Sequence, residues 1–592
     1  MKINILHRPD KPERFPLFEL EQRLAHENGI RTTILVTAES MEHPIQIEAI
    51  KRHAAEFGDE IGLSFHGLTH ESIAHIVGYG QEALWLFSLQ DKRRIIEALA
   101  ARFARTFGFA PRSIASYHID ASTMKLVREI MPEATAAVAG CFEEGVRVFH
   151  GCNHSWYLFN EGMPWNPWYP SASHTLKPAR DAEEWCGLVA IPHLVRDMAL
   201  SYEGRNDFWA SHPPNVMRGM GYEGESCPYD RNLIDLYRWQ EQFNGGYSYY
   251  NSFVSTAWLA DHHAIDDVPE VAQSLYRQQL EYLGELQREG RVESLTMSEF
   301  AEWFTENREF GATEVYFAKE MLYGSGKHYF WYLDADQRVL IDATQGGSIG
   351  DLRPYAGCVP VSTGPESESL SIGSYPYLIQ SQHRTGLPNH SEDGARTTAI
   401  LSLGDVEVDL ATLETMITAV EREDGWVTVR HAAVGVEIGG TTVEIQTRVS
   451  FKHGGVTRIR RGFTLAGGKP AGEVRLTERA KLAPGTTEYP VPMHGIAATV
   501  EVEGAGKVAG EGKRTLEYAY GGRQIEEASA TAVEAVFPMT NARVRLESKD
   551  SQTWSACARE GHLFSPYITL GMSRSVKNEE ETEVWLMISK NQ

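Results

Sequence analysis

The stretch GDEIGLSFHGLTHESI, residues 58–73, decides how the first half of this chain is read. A short apolar run, EIGLSF, follows Asp59 and ends at His66, and His70 stands four residues further on. Residues four apart share one face of a helical turn, so one backbone segment can present both imidazoles to a single ion. The same spacing fits two ordinary polar residues where a strand runs into a helix. The surrounding pattern decides between them.

Working outward, short apolar runs alternate with amphipathic stretches. KINIL (2–6) precedes FPLFELEQRLAHENGI (15–30), where Phe18, Leu20 and Leu24 recur at near-helical spacing and Gly29 stops the helix. RTTILVTA (31–38) is β-branched. HPIQIEAIKRHAAEFG (43–58) and DKRRIIEALAARFARTFG (91–108) are helical and end at Gly58 and Gly108. RSIASYHID (112–120), ATAAVAG (134–140), EWCGLVAIPHLVRD (184–197) and GYSYYNSFVSTAWLADHH (246–263) carry further apolar runs. This is the alternation of a βα-repeat barrel over residues 1–310, interrupted by an aromatic-rich insertion at about 141–250. From about 311 the period changes to two. VEIGGTTVEIQTRVSFKHGGVTRIRRGFTL (436–465) alternates and is punctuated by Gly-Gly turns. Residues 311–592 therefore read as a mostly antiparallel β-sandwich domain.

Composition narrows the function. A length of 592 residues exceeds what one core serves, and 42% apolar with 23% charged residues is a globular profile. The net charge of −24 argues against nucleic acid and anionic lipid as partners. Cys141, Cys152, Cys186, Cys227, Cys358 and Cys557 form no CxxC pair and suggest neither a disulfide framework nor a zinc knuckle. The N-terminus enters a strand directly and no apolar run approaches membrane-spanning length, so the expectation is a cytoplasmic chain. No P-loop is present and no GxGxxG follows the first strand, so nucleotide chemistry is poorly supported. LDADQRVL (333–340) lacks the ligand spacing of a calcium loop and reads as a hairpin turn.

The order of elements in the first half resembles the polysaccharide deacetylase, or NodB homology, domain, one of a superfamily of distorted (β/α)7 barrels shared with several glycoside hydrolases. DEIGLSFHGLTH (59–70) is similar to that family's His-x-x-x-His motif, and REGRVESLTMSEFAEWF (288–304) to its closing strand-helix step. NILHRPDKPE (4–13) occupies the place of the Asp-Asp motif. There the resemblance places a metal-binding carboxylate on Asp10, while the catalytic base falls on Pro9, which takes no proton. The family's Arg-x-Pro-Tyr motif has no clear copy, and SIASYHIDAST (113–123) stands in its place. The resemblance implies a fold, α/β, with a distorted (β/α)7 barrel followed by the β domain. It also implies a divalent metal, zinc first, held by Asp10, His66 and His70 with open positions for water.

Proton-transfer candidates come from strand ends, where barrels carry their chemistry. Asp120 follows SYHI and is the expected substitute base; Asp197 ends LVAIPHLVRD. His262 and His263 follow the next strand, where the family carries a general-acid histidine. The insertion gathers Trp156, Tyr157, Trp165, Trp168 and Tyr169, flat rings on which a sugar's apolar face could stack, with His154 and His174 as donors to hydroxyls. The expected function is a carbohydrate-active hydrolase removing an acyl group from a sugar, with an oligosaccharide or glycoside as substrate. Two alternatives stand: a glycosidase on the same barrel using paired carboxylates among Asp10, Asp120 and Asp197, and an inactive sugar-binding protein. A homo-oligomer is left open.

Overall fold

The structure is a computed structural model. It describes residues 1–81, 83–141, 165–192, 195, 197–199, 228–260, 268–321, 324–357, 376–380, 394–467, 472–486, 499–504, 514–517, 519, 521–549, 553–562 and 565–591. The chain divides into two compact units, the first built on Met1–Ala312 and Glu320–Ser325. The second is built on Thr313–Lys319, Gly326–Cys358 and Gly373–Gln592.

In the first unit seven strands run parallel: β1 Lys2–Arg8, β2 Thr33–Val36, β3 Glu60–Ser64, β4 Ser113–Ile119, β5 Ala136–Cys141, β6 Val189–Pro192 and β7 Tyr249–Ser255. They pair in sequence order from β1 to β6, and β7 returns to β1 with Lys2 opposite Tyr249 and Arg8 opposite Ser255. A two-residue strand, β8 Glu293–Ser294, pairs with the start of β1. Among the described residues no backbone ladder joins β6 to β7; instead the Asn251 side-chain amide donates to the Pro192 carbonyl at 2.6 Å. The sheet is thus a near-barrel with one side-chain-bridged seam.

The strands are apolar on both faces because helices cover them: β2, β6 and β7 are buried along their whole length. The helices that matter for the site are α1 Phe15–Glu27, α2 Pro44–Phe57, α3 Glu71–Val77, α4 Leu89–Phe107, α5 Ala121–Ile130, α6 Pro228–Trp239, α7 Pro269–Arg288 and α8 Met297–Asn307. The stripe Ile95, Ile96, Leu99 and Phe103 buries α4, each side chain contributing about 1.5–3 kcal/mol over exposure. Gly58 and Gly108 end α2 and α4 with φ of 75° and 88°, a left-handed cap that the Cβ of another residue would strain. All seven strands point the same way, so Arg8, Ser64, Ile119, Pro192 and Ser255 share one rim. The insertion proves to contain a barrel strand, β6, and the helix α6.

The second unit is antiparallel. β9 Glu314–Lys319, β10 His328–Leu333, β11 Gln337–Asp342 and β12 Ser348–Pro354 form consecutive partners of one five-stranded sheet. The LDAD run is the turn between β10 and β11, with Asp334 accepting from the Asp336 and Gln337 amides at 2.7 and 2.9 Å. A fifteen-stranded sheet contains the rest of the long strands, including β13 Arg396–Leu403, β14 Arg475–Leu482, β15 Gln524–Phe537, β16 Trp554–His562 and β17 Ser565–Ser575. Its longest hairpin joins Thr441–Lys452 to Val456–Gly467 through Gly454 and Gly455, with φ of 90° and 72°. A Cβ on Gly455 would lie 2.3 Å from the Ile588 carbonyl oxygen, so both conformation and space demand glycine there.

Candidate functional site

The rim of the barrel gathers Arg8 and Asp10 after β1, His66 after β3, Asp120 after β4 and Thr256 after β7. His66 is buried at 2% exposure. Its Nδ1 lies 2.7 Å from the Ser64 hydroxyl, which also accepts the His66 backbone N–H at 3.3 Å. The His66 ring stacks on Phe253 of β7, centroids 5.7 Å apart at 28°. Arg8 places its guanidinium 5.7 Å from the same ring, and Trp258 meets it edge-on. Phe253 is therefore the point where β1, β3 and β7 converge.

Asp10 is a quarter exposed and forms a close ion pair with Arg14, one turn away. His70 caps α3: its Nδ1 accepts from the Ser72 amide at 3.3 Å and lies 2.9 Å from the Ser72 hydroxyl. The expected metal set is thus not assembled, because Asp10 is held by a cation and the His70 ring is turned to its own helix. A divalent ion does not fit these three side chains as they stand. Among the described residues, ligand atoms lie within 4.8 Å of one another in two other groups, His26 with His53 and Asp59, and Asp334 with Asp336 and His453. The first lies at the opposite, N-terminal end of the strands: His26 Nε2 meets Asp59 at 2.8 Å, the Thr32 amide donates to Asp59 at 2.8 Å, and His53 meets Glu19 at 3.2 Å. The second is the β10–β11 turn, where Tyr332 donates to Asp334 at 2.7 Å.

Asp120 has a different task from the proton acceptor expected of it. It is 1% exposed and caps α5. One oxygen accepts from the Thr123 amide at 2.9 Å and from the Thr123 hydroxyl; the other accepts from Lys92 Nζ at 2.8 Å and Ser122 at 2.9 Å. Lys92 is equally buried. Asp197 is fully buried and accepts from the Ala199 amide at 3.0 Å.

The aromatic insertion is corrected in part. Trp165, Trp168 and Tyr169 are each 4% exposed. Trp168 bridges to Ala190 of β6 and donates to the Thr175 carbonyl at 2.8 Å. Tyr169 donates towards the carbonyls of Phe304 and Arg308 at the end of α8 and packs on Phe304, Phe310 and Trp185. These rings are packed, because the hairpin that carries them closes against the barrel. His174 is buried too, and burial lowers it to about 3, which keeps the ring neutral. His154, Trp156, Tyr157, His262 and His263 lie outside the described residues.

Sequence reading missed Glu21. It sits within α1 at a position indistinguishable from a surface glutamate, yet it is fully buried. Thr256 lies 3.2 Å from Glu21 Oε2 and 3.1 Å from the Arg8 carbonyl, linking the ends of β1 and β7. Burial, with Asp10 adding to it, raises the Glu21 carboxyl well above its ordinary range. His7 is missed likewise: it lies 2.5 Å from the Tyr276 hydroxyl, and burial lowers it to about 3. No helix among the described residues is long and apolar enough to cross a membrane.

The search of curated proteins gave no match. Several solved structures show distant similarity. A galactose mutarotase-like protein from Clostridium acetobutylicum is 8% identical and superposes on 47% of this chain and 99% of its own, with a TM-score of 0.31. A 4-alpha-glucanotransferase from Thermococcus litoralis is 10% identical over the whole of both chains, at 0.28. An alpha-N-acetylgalactosaminidase from Bifidobacterium bifidum is 8% identical over 44% of this chain and 36% of its own, at 0.29. The profile of the family described as a domain of unknown function with solved structure, DUF3863, matches residues 31–326, half of the sequence, and the chain belongs to that family.

Proposed function

We propose that the chain is a carbohydrate-active hydrolase that removes an acyl group from a sugar at the barrel rim. The observation carrying this reading is the convergence of Arg8 and His66 on Phe253, at the end of the strands where parallel barrels carry their chemistry. Ser64 orients the His66 ring through Nδ1, and this reading assigns proton transfer to Nε2. Arg8 is the cation that this reading assigns to a developing oxyanion. Asp10, a quarter exposed and ion-paired with Arg14, is the carboxylate that a ligand reaches from solvent. Zinc at Asp10, His66 and His70 would require Arg14 to release Asp10 and His70 to leave its cap, so no step is routed through an ion.

A glycosidase is the second reading, favoured by the ion-paired carboxylate at Asp10 in place of an assembled ligand set. Acetylated and unacetylated oligosaccharides separate the two: released acetate supports deacylation, new reducing ends support glycoside cleavage. His66→Ala should lower either turnover by at least about a hundredfold, the scale of general acid–base catalysis. Undiminished turnover in that variant would remove the reading.

A further inference from the structure

The second unit carries a cleft of about 450 Å³, within the size range of small-ligand sites, on one face of the large sheet. Cross-strand register explains its charge. Arg396 on β13 lies opposite Lys481 on β14, Lys481 opposite Thr569 on β17, and Thr569 opposite Arg559 on β16. Period-2 alternation adds Arg479 to the same face as Lys481, and Tyr567 to that of Thr569. Three cations thus stand in one row across four strands of a protein whose net charge is −24. Like charges directly opposite one another destabilise a sheet, so Arg396 opposite Lys481 carries a cost.

Among the described residues two carboxylates stand near the row. Asp409 accepts from Arg479 at 2.8 Å, and Glu526 stands at the edge opposite Cys557, bonded by Gln524. Arg396 and Arg559 form no ion pair among the described residues; Arg396 acts only through space on Asp342. Arg479 Nε is buried with no hydrogen-bond partner among the described residues, although Asp409 occupies the other end of the guanidinium. Lys481 is held 4.3 Å over the Tyr567 ring, which orders its ammonium. Cys557, which lines the cleft, packs so closely on Gly571 that a Cβ there would meet its Sγ at 2.8 Å.

We propose that this cleft binds an anionic saccharide, one carrying carboxylate or sulfate groups that bridge Arg396, Lys481 and Arg559. The oxyanion class follows from the row of cations; the saccharide class rests on the carbohydrate reading above. Guanidinium groups pair bidentately with carboxylate and sulfate, and the ring of Tyr567 and the hydroxyl of Thr569 suit the body of a sugar.

Calorimetric titration of the full chain tests this with a galacturonate disaccharide, a sulfated disaccharide, neutral cellobiose and sodium sulfate. The acidic disaccharides should bind, weaken at least about tenfold between low and physiological salt, and weaken as much in Arg396→Gln/Arg559→Gln; cellobiose should not bind. Circular dichroism of the double variant checks its fold, and the salt dependence of the unaltered protein stands without any variant. Equal binding of cellobiose, sulfate binding as tightly as the sugars, binding indifferent to both arginines, or no binding would each overturn the proposal. His66→Ala should bind the acidic disaccharides as before. Binding without any turnover would remove the hydrolase and leave this cleft standing.

Discussion

Asp120 on the barrel rim and Arg396 on the sheet are both charged residues in regular structure, yet their surroundings are opposite. Asp120 is buried with Lys92, Ser122 and Thr123 supplying four bonds to two oxygens. Arg396 faces Lys481 across a strand pair and has no ion-pairing carboxylate among the described residues. A charge whose every lone pair is matched serves the fold. A charge set against its own kind is an expense that a ligand can offset.

The contrast can be broken at four points. Asp120→Ala removes the carboxylate that Lys92 pairs with in the interior, and should cost about 3–5 kcal/mol in urea or thermal unfolding. An Asp120→Ala protein of undiminished stability that had lost turnover would return Asp120 to the proton-acceptor role. Next in size is Asp230 on α6, which burial raises to about 8. The folded state then holds a proton that the unfolded state releases near pH 4, so its stability contribution falls as pH climbs from about 4 towards 8. Asp230→Asn should flatten that loss, read as a smaller change in denaturant midpoint between about pH 4 and pH 8.

Smaller effects sharpen the comparison. His70→Ala should cost about 1 kcal/mol or less through the lost cap of α3, and His70→Ser should restore it. Zinc that raises the melting temperature of the unaltered protein but not of His70→Ser would instead reinstate the metal set. Smallest, and opposite in sign, Arg396→Gln should stabilise the ligand-free protein by about 0.2–1 kcal/mol while weakening anion binding. A destabilised Arg396→Gln would show that the row of cations is part of the scaffold.

Legibility followed the range of the interactions. The strand ends at Ser64 and Ile119 and the helix stops at Gly58 and Gly108 were readable, because periodicity and caps are local. The partners of Asp10 and His70 lie within four residues but depend on rotamers that spacing does not specify. Glu21 was invisible: α1 places it among other glutamates, and only the packing of β1, β7 and α7 buries it.

By itself the chain's order of apolar runs determined a βα-repeat half and an antiparallel half, since period and turn chemistry act between near neighbours. Tertiary structure alone decided which charges are answered. It set Lys92 against Asp120, turned Trp168 and Tyr169 inward, and aligned Arg396, Lys481 and Arg559 from strands about 160 residues apart in sequence. Pairing across such distances depends on sheet register, which no short stretch of residues contains.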